Sequence, residues 1–183
     1  MIIRATLLAA VMLSIAACSY EAPKNQVTLT VDQTLRLPVS DGSKSVDVTI
    51  YRDRYGVPQV FADSNYGVYF GYGYSVARDR LFQMEMLKRT AQGRVAQVLG
   101  RDYLDLDIKL RTQYDHQLVH QQVSNLGRRD LDILEGYAAG FNAYIDELRS
   151  TDAFENGLPK PFYDFDFLPS RWDAFDVASV YVG

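Results

Sequence analysis

Cysteine and tryptophan each occur once in this chain of 183 residues, and histidine twice. Each scarcity removes a class of chemistry. A single Cys cannot form an intrachain disulfide, and it supplies neither a thiolate metal cage nor a redox pair. An excess of basic charge is also missing: 19 Lys and Arg stand against 23 Asp and Glu, a net charge of -4, with the signs interspersed. With no basic stripe to neutralise a phosphate backbone, nucleic acid is not an expected partner. Internal repeats and low-complexity tracts are absent, and no linker divides residues 27 to 183. No Ser sits in a Gly-x-Ser-x-Gly elbow, so a complete hydrolase triad within the chain has no support.

Apolar residues make up 48% of the chain, the aromatic 13% among them, enough for a substantial core. The first 17 residues read as an export signal: Arg4 gives a positive start, and Ala5 to Ala17 form an apolar stretch too short to span a bilayer comfortably. Its end, Ile15-Ala16-Ala17-Cys18, resembles the lipobox of bacterial lipoproteins. That implies a lipid on Cys18, a periplasmic location and membrane attachment. Ordinary signal-peptide cleavage nearby is the alternative. Residues 18 to 26 form a polar tether.

Residues 27 to 62 predict strands: Val27 to Val31, Val46 to Ile50 and Val57 to Phe61, with turns at Asp41-Gly42 and Tyr55-Gly56. Three short strands alone are marginal, so they read as an antiparallel edge of a larger sheet. The period then becomes helical. Asp63 or Ser64 caps a helix running to Arg89, with Tyr66, Phe70, Tyr74, Ala77, Leu81 and Met84 on one face. Gly71 and Gly73 inside it imply a second backbone close by, and Glu85 with Arg89 reads as an exposed helical pair. Asp102 to Tyr114 is weakly periodic. Asp130 to Arg149 is the clearest helix, with a stripe of Leu131, Leu134, Ala138, Phe141, Ile145 and Leu148. A loop with Pro159, Pro161 and Pro169 follows, then an apolar element from Trp172 to Gly183 that lacks a capping or polar finish and reads as the cut end of a fragment.

Candidate chemical residues are few. His116 and His120 stand four apart, as metal ligands on one helical face do, but without a third ligand they read as packed or solvated histidines. Asp102, Asp105 and Asp107 lack the Gly and terminal Glu of a calcium loop and read as a hydrated acidic helix face. Gly71-Tyr-Gly73-Tyr-Ser-Val76 lacks the third Gly and the parallel-strand context of a dinucleotide fingerprint.

Five blocks carry a resemblance. They are Arg52-Asp-Arg-Tyr-Gly-Val-Pro-Gln-Val-Phe-Ala62, Tyr69-Phe-Gly-Tyr-Gly-Tyr-Ser-Val-Ala-Arg-Asp-Arg-Leu-Phe-Gln-Met-Glu-Met86, Gly93-Arg-Val-Ala-Gln-Val-Leu-Gly100, Glu135-Gly-Tyr-Ala-Ala-Gly-Phe-Asn-Ala-Tyr144 and Arg171-Trp-Asp-Ala-Phe-Asp-Val177. In order and spacing they resemble the N-terminal region of the penicillin acylase family. The Gly71 to Tyr74 block and the Phe165 to Pro169 loop resemble penicillin G acylases more than acyl-homoserine lactone acylases. The resemblance implies an α+β class: the α-chain part of a four-layer αββα N-terminal-nucleophile hydrolase, mainly helical after its strands. It implies a self-cleaving precursor acting on the amide of penicillin-type or other N-acyl substrates. The catalytic Ser would begin a β chain, whose α-amine titrates near neutral pH and so can serve as base. The pocket residues and the α-chain carboxylate of a structural calcium site would lie beyond Gly183. No catalytic, substrate-binding or metal residue is therefore expected in this chain, and its partner is the β-chain region. A non-catalytic lipoprotein that binds an acyl ligand is the competing class.

Overall fold

The computed structural model describes residues 29–38, 45–151 and 157–182. The export signal, the tether with Cys18, the Asp41-Gly42 turn and Gly183 lie outside the described residues. Three strands, β1 (Leu29–Pro38), β2 (Ser45–Asp53) and β3 (Pro58–Phe61), form an antiparallel sheet in that order. A register shift between Val31 and Gln33 marks a bulge in β1. Between β2 and β3, the Asp53 carboxylate accepts from the backbone N–H of Tyr55 and Val57 at 2.8 and 2.9 Å. Gly56 completes this turn at φ 79, a left-handed conformation that costs a glycine little.

The helix α1 (Asn65–Ala91) begins as its sequence dictates: Ser64 is extended, and its hydroxyl accepts from Gly67 N at 3.0 Å. Its stripe packs in two directions. Phe70 and Tyr74 meet Val48 and Ile50 of β2, while Ala77 and Leu81 join Phe141, Ile145 and Trp172 in the larger core. Each fully buried aliphatic or aromatic side chain of this kind contributes about 1.5–3 kcal/mol. At Arg80 the backbone leaves helical geometry, with φ -143 and ψ 31, so α1 is kinked there.

After α1 come a short helix α2 (Ala96–Leu99), a 3-10 turn (Arg101–Tyr103), α3 (Leu104–Gln113), α4 (His116–Ser124), and the long α5 (Arg128–Arg149). The helices α6 (Lys160–Asp164) and α7 (Ala174–Val182) close the described chain. The α5 stripe faces the core as its spacing requires, with Ala138, Phe141, Ile145 and Leu148 all buried.

Where α1 crosses α5, the backbones nearly touch. A Cβ on Gly140 would lie 1.9 Å from the Phe70 carbonyl oxygen, and one on Gly73 would lie 2.1 Å from that of Tyr137. The expected close backbone is thus present at Gly73. Gly71 differs: it faces the Val60 and Val48 side chains of the sheet, not a backbone.

Two further sequence expectations are overturned. Glu85 does not form an exposed pair with Arg89; it is fully buried. Asp107 is not on a hydrated face either. It is 5% exposed, and its two carboxylate oxygens accept from Val95 N and Ala96 N, each at 2.8 Å. It caps the first turn of α2 from a distance in sequence, a role that spacing alone does not reveal.

Candidate functional site

Two arrangements hold chemistry, one on the C-terminal half of α1 and the other astride its break at Arg80. The first is a buried ionic cluster. Lys88 Nζ donates to Ser170 Oγ at 2.6 Å and to the Arg171 carbonyl at 3.1 Å, and it lies 3.5 Å from Glu85 Oε2 and 3.8 Å from Asp176 Oδ2. Ser170 Oγ in turn donates to Glu85 Oε1 at 2.9 Å. Arg89 Nε stands 3.3 Å from the same carboxylate, close enough for ion pairing but without hydrogen-bond alignment. On the far side, Gln92 Nε2 donates to Asp176 Oδ1 at 2.5 Å. Burial lowers the Lys88 pKa, and the Glu85 and Asp176 charges pull it back up. Burial raises the Asp176 pKa, with Lys88 opposing.

A serine in contact with a lysine invites a nucleophile–base reading. The geometry opposes it. Lys88 Nζ is engaged by two carboxylates and donates to Ser170, and the Ser170 hydroxyl is committed to Glu85. The cluster fastens the 170–176 segment and α7 onto α1. Sequence reasoning missed Lys88, Ser170, Gln92 and Asp176 altogether; a Glu and a Lys three apart in a helix do not announce burial.

The second arrangement is a cleft of about 730 Å³ between the 55–58 turn, α1 and α7. Its walls are largely apolar and aromatic, including Val57, Tyr72, Val76, Met84, Tyr137, Trp172, Val180 and Tyr181. At its mouth Arg52 makes a two-pronged ion pair with Asp79, at 3.0 and 3.1 Å, and also donates to the Gly56 carbonyl at 2.7 Å. This ties β2, the turn and α1 together. The Asn142 amide, outside the cleft, grips the Trp172 backbone, donating to its carbonyl at 2.7 Å and accepting from its N–H at 2.8 Å. The indole lies tilted on Phe141, with ring centres 4.5 Å apart, and Lys88 Nζ is 5.0 Å from its ring centre. Among the described residues, Trp172 Nε1 and Ser75 Oγ are buried without a hydrogen-bond partner. Burial drives the Tyr137 phenol well above its ordinary pKa.

The two histidines lie elsewhere. The His120 ring stacks on Phe175 at 3.6 Å, and His116 meets Tyr114 edge-on. Among the described residues, no three His, Cys, Asp or Glu side chains converge as metal ligands would, so no calcium chemistry is derived from this chain. No helix among them is long and apolar enough to cross a membrane.

The penicillin amidase family model matches residues 47–182. The chain belongs to this family. It is 43% identical over 159 residues to penicillin G acylase of Escherichia coli, covering 87% of this chain and 19% of that protein. It is 31% identical over 150 residues to the acyl-homoserine lactone acylase QuiP of Pseudomonas aeruginosa, covering 79% and 17%. Among solved structures, a thermostable penicillin G acylase from Alcaligenes faecalis aligns with a TM-score of 0.72 at 44% identity, over 76% of this chain and 72% of that one. The chain therefore spans about a fifth of the length of the curated relatives it matches. The α+β arrangement is that of the matching part of a penicillin G acylase.

The amidase blocks now acquire physical roles. Arg52 and Asp79, from the first two blocks, pair with each other. Gly73 of the second and Gly140 of the fourth form the α1–α5 crossing. Glu85 of the second reaches Ser170 beside the fifth, and Asn142 of the fourth holds Trp172 of the fifth. Four of the five blocks are thus in mutual contact.

Proposed function

We propose that this chain is the scaffold portion of an exported amide hydrolase that cleaves the acyl side chain of penicillin-type or other N-acyl substrates. A β-chain region of the same precursor, freed by self-cleavage, supplies the nucleophilic Ser and its α-amine base. The observation that carries this reading is the pairing of blocks just described, combined with length. A chain that spans 19% of the E. coli protein spans 72% of one chain in the Alcaligenes structure. A relative named penicillin acylase 2 proenzyme, from Pseudomonas sp. strain SE83, 35% identical over 114 residues, is in keeping with a maturing precursor. Structural calcium belongs to the same reading, with its ligands outside this chain.

The test compares the gene extended through its downstream frame with residues 18 to 183 alone. Hydrolysis of a phenylacetyl anilide is expected from the first and not from the second, and turnover by the shorter chain above a heat-killed control would overturn the assignment. The likeness to QuiP favours a second substrate, so an N-acyl homoserine lactone is assayed beside the anilide. Export and anchoring rest on Cys18. Cys18→Ala should leave the precursor unprocessed or soluble, since the lipid is the proposed anchor. Unchanged processing and membrane retention would remove the lipid from the reading.

A further inference from the structure

Both histidines of the chain line one cavity of about 410 Å³, together with Gln92, Arg94, Arg111 and Phe175. No carboxylate is among these lining residues, in a chain whose net charge is -4. Local structure gathers the basic groups. Gly93, at φ 60, turns the chain out of α1 and lets α3 press against the turn: a Cβ there would lie 2.8 Å from the Asp107 carbonyl oxygen and 2.7 Å from Arg111 Cγ. Arg111 Nε donates to the Gly93 carbonyl at 2.9 Å, which anchors one edge of the guanidinium and leaves both Nη groups without a partner among the described residues. Arg94 donates from Nε to Gln97 and from Nη1 to Gln92, both neutral amides, so no carboxylate neutralises it. His120 is held flat on Phe175, and His116 Nε2 is buried with no hydrogen-bond partner. The neighbouring acids are engaged elsewhere. Asp115 caps α4 by accepting from Gln117 N and Leu118 N, and Asp176 is held by Gln92, Lys88 and Asp173 N.

We propose that this cavity binds a phosphate-class dianion, free or as the end of a phosphomonoester, with the Arg94 and Arg111 guanidiniums as its principal donors and His116 beside them. The two guanidiniums and the missing carboxylate disfavour a metal ion, so the four-residue spacing of the histidines serves an anion instead. A planar carboxylate is satisfied by a single arginine fork. A tetrahedral oxyanion can accept from donors on separate segments, here the turn after α1, α3 and the start of α4. Because neither guanidinium is bound to a carboxylate, the anion breaks no ion pair on arrival. The cavity shares no lining residue with the cleft, and its chemistry is independent of amide hydrolysis.

The test titrates inorganic phosphate into the complete protein by calorimetry near neutral pH, with ionic strength held constant by chloride. Saturable binding with a Kd of about 1 mM or tighter is expected, and acetate should bind about tenfold more weakly. Arg94→Gln and Arg111→Gln should each weaken phosphate binding about tenfold or more, and His116→Gln by a smaller factor. Arg101→Gln removes the same charge from an exposed arginine outside the cavity and should leave binding unchanged. Arg111→Gln also loses the Gly93 bond. Where it fails to fold, Arg94→Lys takes its place, keeping the charge without the fork, and should weaken binding by less than Arg94→Gln. Glycerol 3-phosphate, titrated in parallel, separates the two sources: tighter binding than phosphate identifies a monoester, equal or weaker binding the free anion. Absence of saturable phosphate binding up to about 10 mM would overturn the proposal. So would equal binding of acetate, binding unaltered in Arg94→Gln, or an equal loss in Arg101→Gln.

Discussion

The helix α1 is fastened in two different ways on either side of its break at Arg80. The N-terminal half meets α5 through glycines, with backbone against backbone and no room for a methyl group. The C-terminal half meets the 170–176 segment through Glu85, Lys88 and Asp176, whose long side chains span a wider gap. Glycine contact is tight and tolerates no added volume. Ionic contact tolerates distance but requires every charge to keep its partner. The same helix therefore has one half sensitive to size and one half sensitive to charge.

The contrast can be broken most forcefully at Lys88. Lys88→Met nearly preserves volume but leaves Glu85 and Asp176 buried with a lost counter-charge, which should cost about 3–5 kcal/mol. Thermal unfolding of the complete protein checks this, and a melting temperature unchanged to within about 1 °C would show that charge does not hold this half. Gly140→Ala tests the other half. One methyl forced against the Phe70 carbonyl should cost about 2–3 kcal/mol by overpacking, with the ionic cluster intact. If Gly140→Ala is silent while Lys88→Met unfolds the protein, the glycine seam is looser than its geometry indicates.

The legibility of the sequence follows the same division. The glycine half was readable, because Gly71 and Gly73 inside an apolar helix are costly unless something needs the space. The α5 stripe was readable for a related reason: periodicity reports which face is buried. The ionic half was not. Glu85, Lys88 and Arg89 carry the spacing of a solvated surface pair, and their burial is decided by Ser170 and Asp176, more than 80 residues away. Asp107 illustrates the same limit, since its hydrogen bonds go to the α2 backbone 11 and 12 residues upstream. Cys18, by contrast, was readable only as a processing signal and lies outside the described residues.

A milder variant sharpens this point. Asp107→Ala removes a cap that serves two backbone N–H groups and should cost about 1–2 kcal/mol, read from the same unfolding measurement. An unchanged transition would mean that water replaces the carboxylate without loss.

The smallest effect is a pH dependence. Because burial raises the Asp176 pKa above its ordinary 3.8, this group contributes stability that is fully present below 3.8 and is lost as pH rises through the raised folded value. Asp176→Asn lacks that titration. The stability of the parent relative to Asp176→Asn should therefore rise as pH falls through the raised value toward 3.8. Unfolding curves of both proteins, paired at each pH, read the difference, and a gap that is flat with pH would contradict the assignment.

The indole of Trp172, the chain's only one, touches every region compared above. It stands on Phe141 of the core, beneath the Lys88 ammonium, and at the floor of the cleft. In optical terms the chain contains its own reporter. Its emission should respond to the charge on Lys88 through the ring face and to the polarity of whatever meets its N–H, so one wavelength would register both the state of the ionic cluster and the arrival of a neighbour.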